Sequence, residues 1–134
     1  MDKQSITILV VEDDEAMLLG ISDLLEVMDV DGYEVEVLTA ANGAIALERM
    51  DGCTPDLIIS DINMPIMDGY AFFDAVRQHS EWLYIPFIFL TAQGDRKEIH
   101  RGQTSGVDLY LTKPFNSIYL VELAKTQLDK AAGR

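Results

Sequence analysis

Five polar side chains stand at the ends of short apolar runs in this sequence. Glu12 and Asp13 follow residues 6–11, Asp61 follows 57–60, Thr91 follows 87–90, and Lys113 comes just after 109–111. If those runs are neighbouring strands, the five groups converge on one edge of a sheet. Three carboxylates gathered there repel one another, at roughly 3 kcal/mol per pair for a separation of about 5 Å in a medium of dielectric near 20. A cation must offset that repulsion. Hard oxygen ligands favour magnesium, and the Lys113 ammonium supplies a second positive charge. Taken singly, Glu12-Asp13-Asp14-Glu15 reads as a charged loop at a helix start and Asp61 as a turn residue. Taken together with a hydroxyl and an ammonium at the ends of adjacent strands, they read as a functional site that holds a cation.

The elements that must position these groups follow from hydrophobic periodicity. Strands are expected over residues 6–11, 34–40, 57–60, 87–90 and 109–111. Four are nearly unbroken apolar runs, as in strands buried on both faces, whereas Glu34-Val35-Glu36-Val37-Leu38 alternates and belongs at a sheet edge. Between them lie helical patterns. Met17, Ile21, Leu24, Leu25 and Met28 recur at steps of three and four, with Asp14 and Glu15 at the positive end of that first helix. A second helix is expected over 43–50 after an Asn42 cap, and a third over 69–78 after Asp68 with Phe72, Phe73 and Val76 inward. The fourth, 95–103, is weakly apolar and carries Arg96, Lys97, His100 and Arg101, which read first as a solvated face and second as a docking patch. The fifth, 117–130, places Leu120, Val121, Ala124 and Leu128 on one side after Asn116. Strict alternation of strand and helix gives an α/β, doubly wound, three-layer fold with a parallel sheet, whose ligands gather at the carboxyl ends of the strands.

Composition narrows the function classes. The 134 residues suffice for one domain, and the expectation is a single unit over 1–134 with a core over about 6–128. A formal net charge of −13 opposes binding to a nucleic-acid backbone, so no direct nucleic-acid partner is expected. No apolar run reaches the roughly 18 residues of a membrane span and the first residues lack a secretory pattern, so the expected location is cytoplasmic, away from membranes. The single cysteine, Cys53, has no intramolecular disulfide partner and reads as a loop residue.

Val10-Val11-Glu12-Asp13, Asp61-Ile62-Asn63-Met64-Pro65 with Asp68-Gly69, Thr91-Ala92, and Lys113-Pro114-Phe115 together resemble the motifs of two-component receiver domains, over about residues 6–128. The resemblance, to chemotaxis-type receivers among others, implies a flavodoxin-like sheet of five parallel strands in the order 2-1-3-4-5. It implies that Asp61 accepts a phosphoryl group from a sensor histidine kinase or phosphotransfer protein. It implies a Mg2+ held by Asp13, Asp61 and the Asn63 backbone carbonyl, with Glu12 acting through water. Glu12 stands where many members carry aspartate, and glutamate also occurs there. Lys113 would pair with phosphoryl oxygens, followed by a cis Pro114. Thr91 and the backbone N–H of Ala92 would hold the phosphate, and Tyr110 would turn inward as Thr91 moves. The surface of the fourth helix, fifth strand and fifth helix would then change, for a downstream protein, a missing output domain or a phosphorylation-dependent homodimer. Such a chain catalyses only its own phosphorylation and dephosphorylation and is not an enzyme with a turnover substrate.

Three other readings fit less well. Aspartyl-phosphate phosphatases of the haloacid dehalogenase class carry a second aspartate two residues after the nucleophile, where this sequence has Asn63. A flavodoxin-like cofactor carrier needs a phosphate-binding loop after the first strand, where Glu12 to Glu15 would repel phosphate. A degenerate receiver would lack key positions, and all of them are filled here.

Overall fold

The computed structural model describes residues 4–92 and 109–131. The expected fourth helix, with Arg96, Lys97, His100 and Arg101, lies outside the described residues. Strands β1 (Gln4–Val11), β2 (Tyr33–Ala40), β3 (Leu57–Asp61), β4 (Phe87–Ala92) and β5 (Leu109–Lys113) form one parallel sheet in the order β2-β1-β3-β4-β5. All five residues of β3 are buried, and it occupies the centre. β2 lies at the edge, and its first residues alternate between half-buried and exposed as the sequence pattern requires.

Several strands run further than their apolar cores. β3 continues through Asp61, β4 through Thr91 and Ala92, and β5 through Thr112 and Lys113. The reason is the backbone ladder: Asp61 is in register with Leu90, Thr91 with Thr112, and Ala92 with Lys113. Polar residues at these positions therefore belong to the sheet itself. Their backbones are fixed by pairing that does not depend on side-chain polarity.

Helix α1 (Glu15–Glu26) starts at Asp14, whose carboxylate accepts from Met17 N–H at 3.1 Å. Helix α2 (Gly43–Gly52) is capped by Asn42, which accepts from Ile45 N–H at 2.9 Å, and α3 (Gly69–Arg77) by Asp68, which accepts from Ala71 N–H at 2.8 Å. Each cap satisfies a donor that the first helical turn leaves open. Met28 is buried as its spacing suggested, but α1 ends at Glu26 and Met28 reaches the core from the following turn. The C-terminal helix runs over Ser117–Ala131, with Leu120, Ala124 and Leu128 buried.

The sheet separates two apolar layers. Leu9, Ile58, Phe87 and Phe89 face α2 and α3, packed with Met50, Tyr70, Phe72 and Phe73. Ile8, Val10, Ile59, Ile88 and Leu90 face α1 and the C-terminal helix, packed with Ile21, Leu25, Leu120 and Leu128. A short 3-10 turn, Ser80–Trp82, follows α3 and was not marked by periodicity. Arg77 holds it, donating to the carbonyls of Trp82 and Ile85 at 2.8 Å each while its guanidinium lies 4.9 Å from the Phe73 ring centre. No helix among the described residues is long and apolar enough to cross a membrane.

Candidate functional site

At the carboxyl end of the sheet, Glu12, Asp13 and Asp61 each offer a carboxylate oxygen, and these atoms lie within 4.8 Å of one another. Glu12 is set by the last ladder bond of β1, its N–H donating to the Ala40 carbonyl of β2 at 3.0 Å. Its side chain is buried, with Oε1 accepting from Asp14 N–H at 3.2 Å and Oε2 from Lys113 Nζ at 3.0 Å. Asp13 is exposed and Asp61 buried. Lys113 Nζ also lies 3.4 Å from Asp61 Oδ1, the same oxygen that accepts from Ile62 N–H at 2.9 Å. The second oxygen of Asp61 is thus the one engaged by neither group.

The electrostatics follow from burial and crowding. Burial, then the charge of Asp61, pushes the Glu12 carboxyl up to about 7, against the opposing pull of Lys113. Burial likewise raises Asp61, with Lys113 and the Ile62 N–H acting against it. For Lys113, burial disfavours the ammonium. The hydrogen bond to Glu12 and the charges of Asp61 and Glu12 outweigh that, and the group stands above its ordinary value. Lys113 is therefore charged at neutral pH. Three carboxyl groups face one ammonium, and the atoms they offer are all oxygens. The residues fit a divalent hard cation.

The backbone behind Asp61 is held by a close approach of α3. Gly69 N–H donates to the Ile62 carbonyl at 2.7 Å, and a Cβ at Gly69 would fall 2.4 Å from the Asp61 carbonyl oxygen. Only glycine fits there. Ser60, fully buried, donates its hydroxyl to that same carbonyl at 2.8 Å, a contact that no reading of residue spacing marked. Asn63 is exposed at the start of the loop that Gly69 closes.

Thr91 is buried at the end of β4, and Ala92 sits beside Lys113 in the ladder. The Lys113–Pro114 peptide bond is cis. Tyr110 of β5 is half-buried, its ring centre 5.9 Å from that of Phe89. Its hydroxyl is buried and has no hydrogen-bond partner among the described residues. Thus Glu12, Asp13, Asp61 and Lys113 are brought together, with Thr91 and Ala92 on the adjoining strand end and Tyr110 one layer below.

The model of the response regulator receiver domain matches residues 8–125. The "Probable chemotaxis protein CheY" of Rhizobium etli is 34% identical over 130 residues, covering 97% of this chain and 95% of its own length. The "Probable transcriptional regulator ycf29" of Porphyra purpurea is 39% identical over 121 residues, 90% of this chain. The chain spans about half the length of that regulator and of response regulator Rre1 from Synechocystis, 56% and 53% respectively. Among solved structures, the chemotaxis response regulator CheY4 of Vibrio cholerae superposes with a TM-score of 0.79 at 34% identity, covering 92% of this chain and 99% of its own.

Proposed function

Since the chain belongs to the response regulator receiver domain family, we propose that Asp61 is its phosphoacceptor and that residues 1–134 act as one receiver unit, a cytoplasmic signalling switch. The observation that carries this reading is the Lys113 ammonium reaching both Glu12 and Asp61 inside a cluster of three carboxylates. Receiver domains pair with sensor histidine kinases and generally bind Mg2+. In this chain Asp13, Asp61 and the Asn63 carbonyl would hold the ion, with Glu12 acting through water. When bound, Mg2+ supplies charge neutralisation on the phosphoryl oxygens.

The side chains divide the remaining work. An oxygen of Asp61 attacks phosphorus as the N–P bond of a donor phosphohistidine breaks, and the electron pair of that bond returns to the imidazole ring. Lys113 then turns its charge to the phosphoryl oxygens, while the Thr91 hydroxyl and the Ala92 N–H hold the others. Water later attacks phosphorus, releasing phosphate and restoring the Asp61 carboxylate. The chain modifies only itself and has no turnover substrate.

Tyr110 supports a switch role. Its inward ring gains contact with Phe89, but its buried hydroxyl has no partner among the described residues, and such a group left unpaired costs about 1–3 kcal/mol. Release of that hydroxyl would favour a second orientation, and the phosphoryl-bound Thr91 would select between the two. The changed surface, which includes β5 and the C-terminal helix, engages a downstream protein, an output domain or a second copy.

The test is intact-protein mass with acetyl phosphate and Mg2+. Wild type should gain the mass of one phosphoryl group and Asp61→Asn none. An equal gain in the variant overturns the assignment.

A further inference from the structure

Every residue of β3 is buried, and Ser60 is the one neutral polar side chain among them. It stands in register with Val11 of β1 and Phe89 of β4, both wholly buried, and is wholly buried itself. An apolar residue there would gain burial free energy that a hydroxyl forgoes. A hydroxyl in such a place needs a partner. Ser60 Oγ finds it in the next carbonyl along the chain, donating to the Asp61 oxygen at 2.8 Å.

That carbonyl belongs to the peptide group joining Asp61 to Ile62. The group is trans and planar, so whatever fixes its carbonyl also fixes the direction of its N–H. The Ile62 N–H in turn donates to Asp61 Oδ1 at 2.9 Å. One rigid plane thus carries a hydrogen bond at each end, the Ser60 hydroxyl on its carbonyl and the acceptor's own carboxylate on its N–H. Gly69 bounds the same plane, since a Cβ there would fall 2.4 Å from the carbonyl oxygen. Successive side chains of a strand point to opposite faces, so the hydroxyl acts on the carboxylate through this peptide.

Holding Oδ1 decides which oxygen reacts. Oδ1 accepts the Ile62 N–H and lies 3.4 Å from Lys113 Nζ, and an oxygen so engaged is the poorer nucleophile. Oδ2 is left to attack. Resting on the reading of Asp61 as phosphoacceptor, we propose that Ser60 is a positioning residue for phosphoryl transfer, holding the Asp61–Ile62 peptide so that Oδ2 is presented to the donor. With acetyl phosphate, the bond from Oδ2 to phosphorus forms as the bond from phosphorus to the acetate oxygen breaks, and the electron pair of that bond leaves with acetate. A loosened plane lets the carboxylate turn and spreads Oδ2 over a wider arc, which slows transfer without removing the nucleophile.

The experiment pairs the rate of loading from acetyl phosphate in Mg2+, followed by intact mass, with the amide NMR shift of Ile62 in the unphosphorylated protein. Ser60→Ala should load about threefold to tenfold more slowly, the rate equivalent of one ordinary hydrogen bond, and its Ile62 amide proton should move upfield as the bond to Oδ1 lengthens. Ser60→Cys, close in volume but a weak donor, should do the same and carries the test where the alanine variant folds poorly. Ser60→Thr, which keeps the hydroxyl, should load within about threefold of wild type with the Ile62 shift retained. A purely structural role would lower the thermal midpoint and leave both the rate of the folded protein and the Ile62 shift alone. Loading of the alanine and cysteine variants within about threefold of wild type overturns the positioning role, as does an unmoved Ile62 amide in them or an equal loss in Ser60→Thr. If acetyl phosphate loads wild type and Asp61→Asn alike, the acceptor assignment fails, and the role of Ser60 with it.

Discussion

Burial and the charge of Asp61 push the Glu12 carboxyl up to about 7, and this has a measurable sign. An acid whose folded pKa exceeds its unfolded value binds more protons when folded, so stability falls as pH rises between the two. For Glu12 that window runs from 4.5 to about 7, with a loss of at most about 3 kcal/mol. Asp61, also raised, acts in the same direction, whereas the raised Lys113 costs stability only above its ordinary 10.5. Without metal, the thermal midpoint should decline from about pH 5 to about pH 7.5, and Glu12→Gln should remove much of that decline. Added Mg2+ should flatten it too, because a cation favours the ionised form. Calorimetric melts in chelator and in Mg2+ measure all three. A flat metal-free profile would mean that Glu12 ionises freely.

Gly69 shows how one element constrains another. Its Cβ would sit 2.4 Å from the Asp61 carbonyl oxygen and 2.8 Å from Ile62 Cα, both backbone atoms that cannot rotate aside. Gly69→Ala should cost about 1–3 kcal/mol in urea denaturation, typical of overpacking, and should slow loading from acetyl phosphate by displacing Asp61. Unchanged stability with unchanged loading would show that α3 yields more easily than its contacts suggest. Much at this scale was legible in the sequence. β3 and β4 announce themselves as apolar runs, β2 as an edge by its alternation, and Asn42 and Asp68 as caps by their place before helical periods. What escaped notice depends on contacts between distant parts. Nothing about Ser80-Glu81-Trp82 foretells a turn fixed by Arg77, and nothing about isoleucine foretells a positive φ at position 66. The carboxylate cluster could be read as needing a cation. That Lys113 would sit closest to Glu12, with Asp61 second, could not, because that choice is made by side-chain reach across the assembled sheet.

Across the whole molecule, loading and switching should separate at Lys113. Magnesium carries the larger charge, so Lys113→Ala should still accept phosphate, though more slowly. On the proposed reading its contact to phosphoryl oxygens would exist in one state and not in the other, and only such differential contacts shift a conformational equilibrium. Removing about 1.5–3 kcal/mol of charge-assisted bonding should cut the active population about tenfold or more when the states are otherwise balanced. Amide NMR spectra of phosphorylated wild type and variant, with loading confirmed by mass, test this at Thr91 and Tyr110. Identical shifts in the two proteins would remove Lys113 from the coupling.

The contact between Lys113 and Glu12 joins residues 101 apart in sequence. In the order β1-β3-β4-β5 it also joins strands three places apart, about 14 Å from axis to axis at ordinary strand spacing. The sheet is therefore belted across its carboxyl end, fastened at Glu12 and, less closely, at Asp61. On the proposed reading the ammonium would give up Glu12 for a phosphoryl group on Asp61, and the belt would then span two strand places, about 10 Å. Phosphorylation would then act as a mechanical release, freeing β1 and leaving the outer strand tied to the centre of the sheet alone.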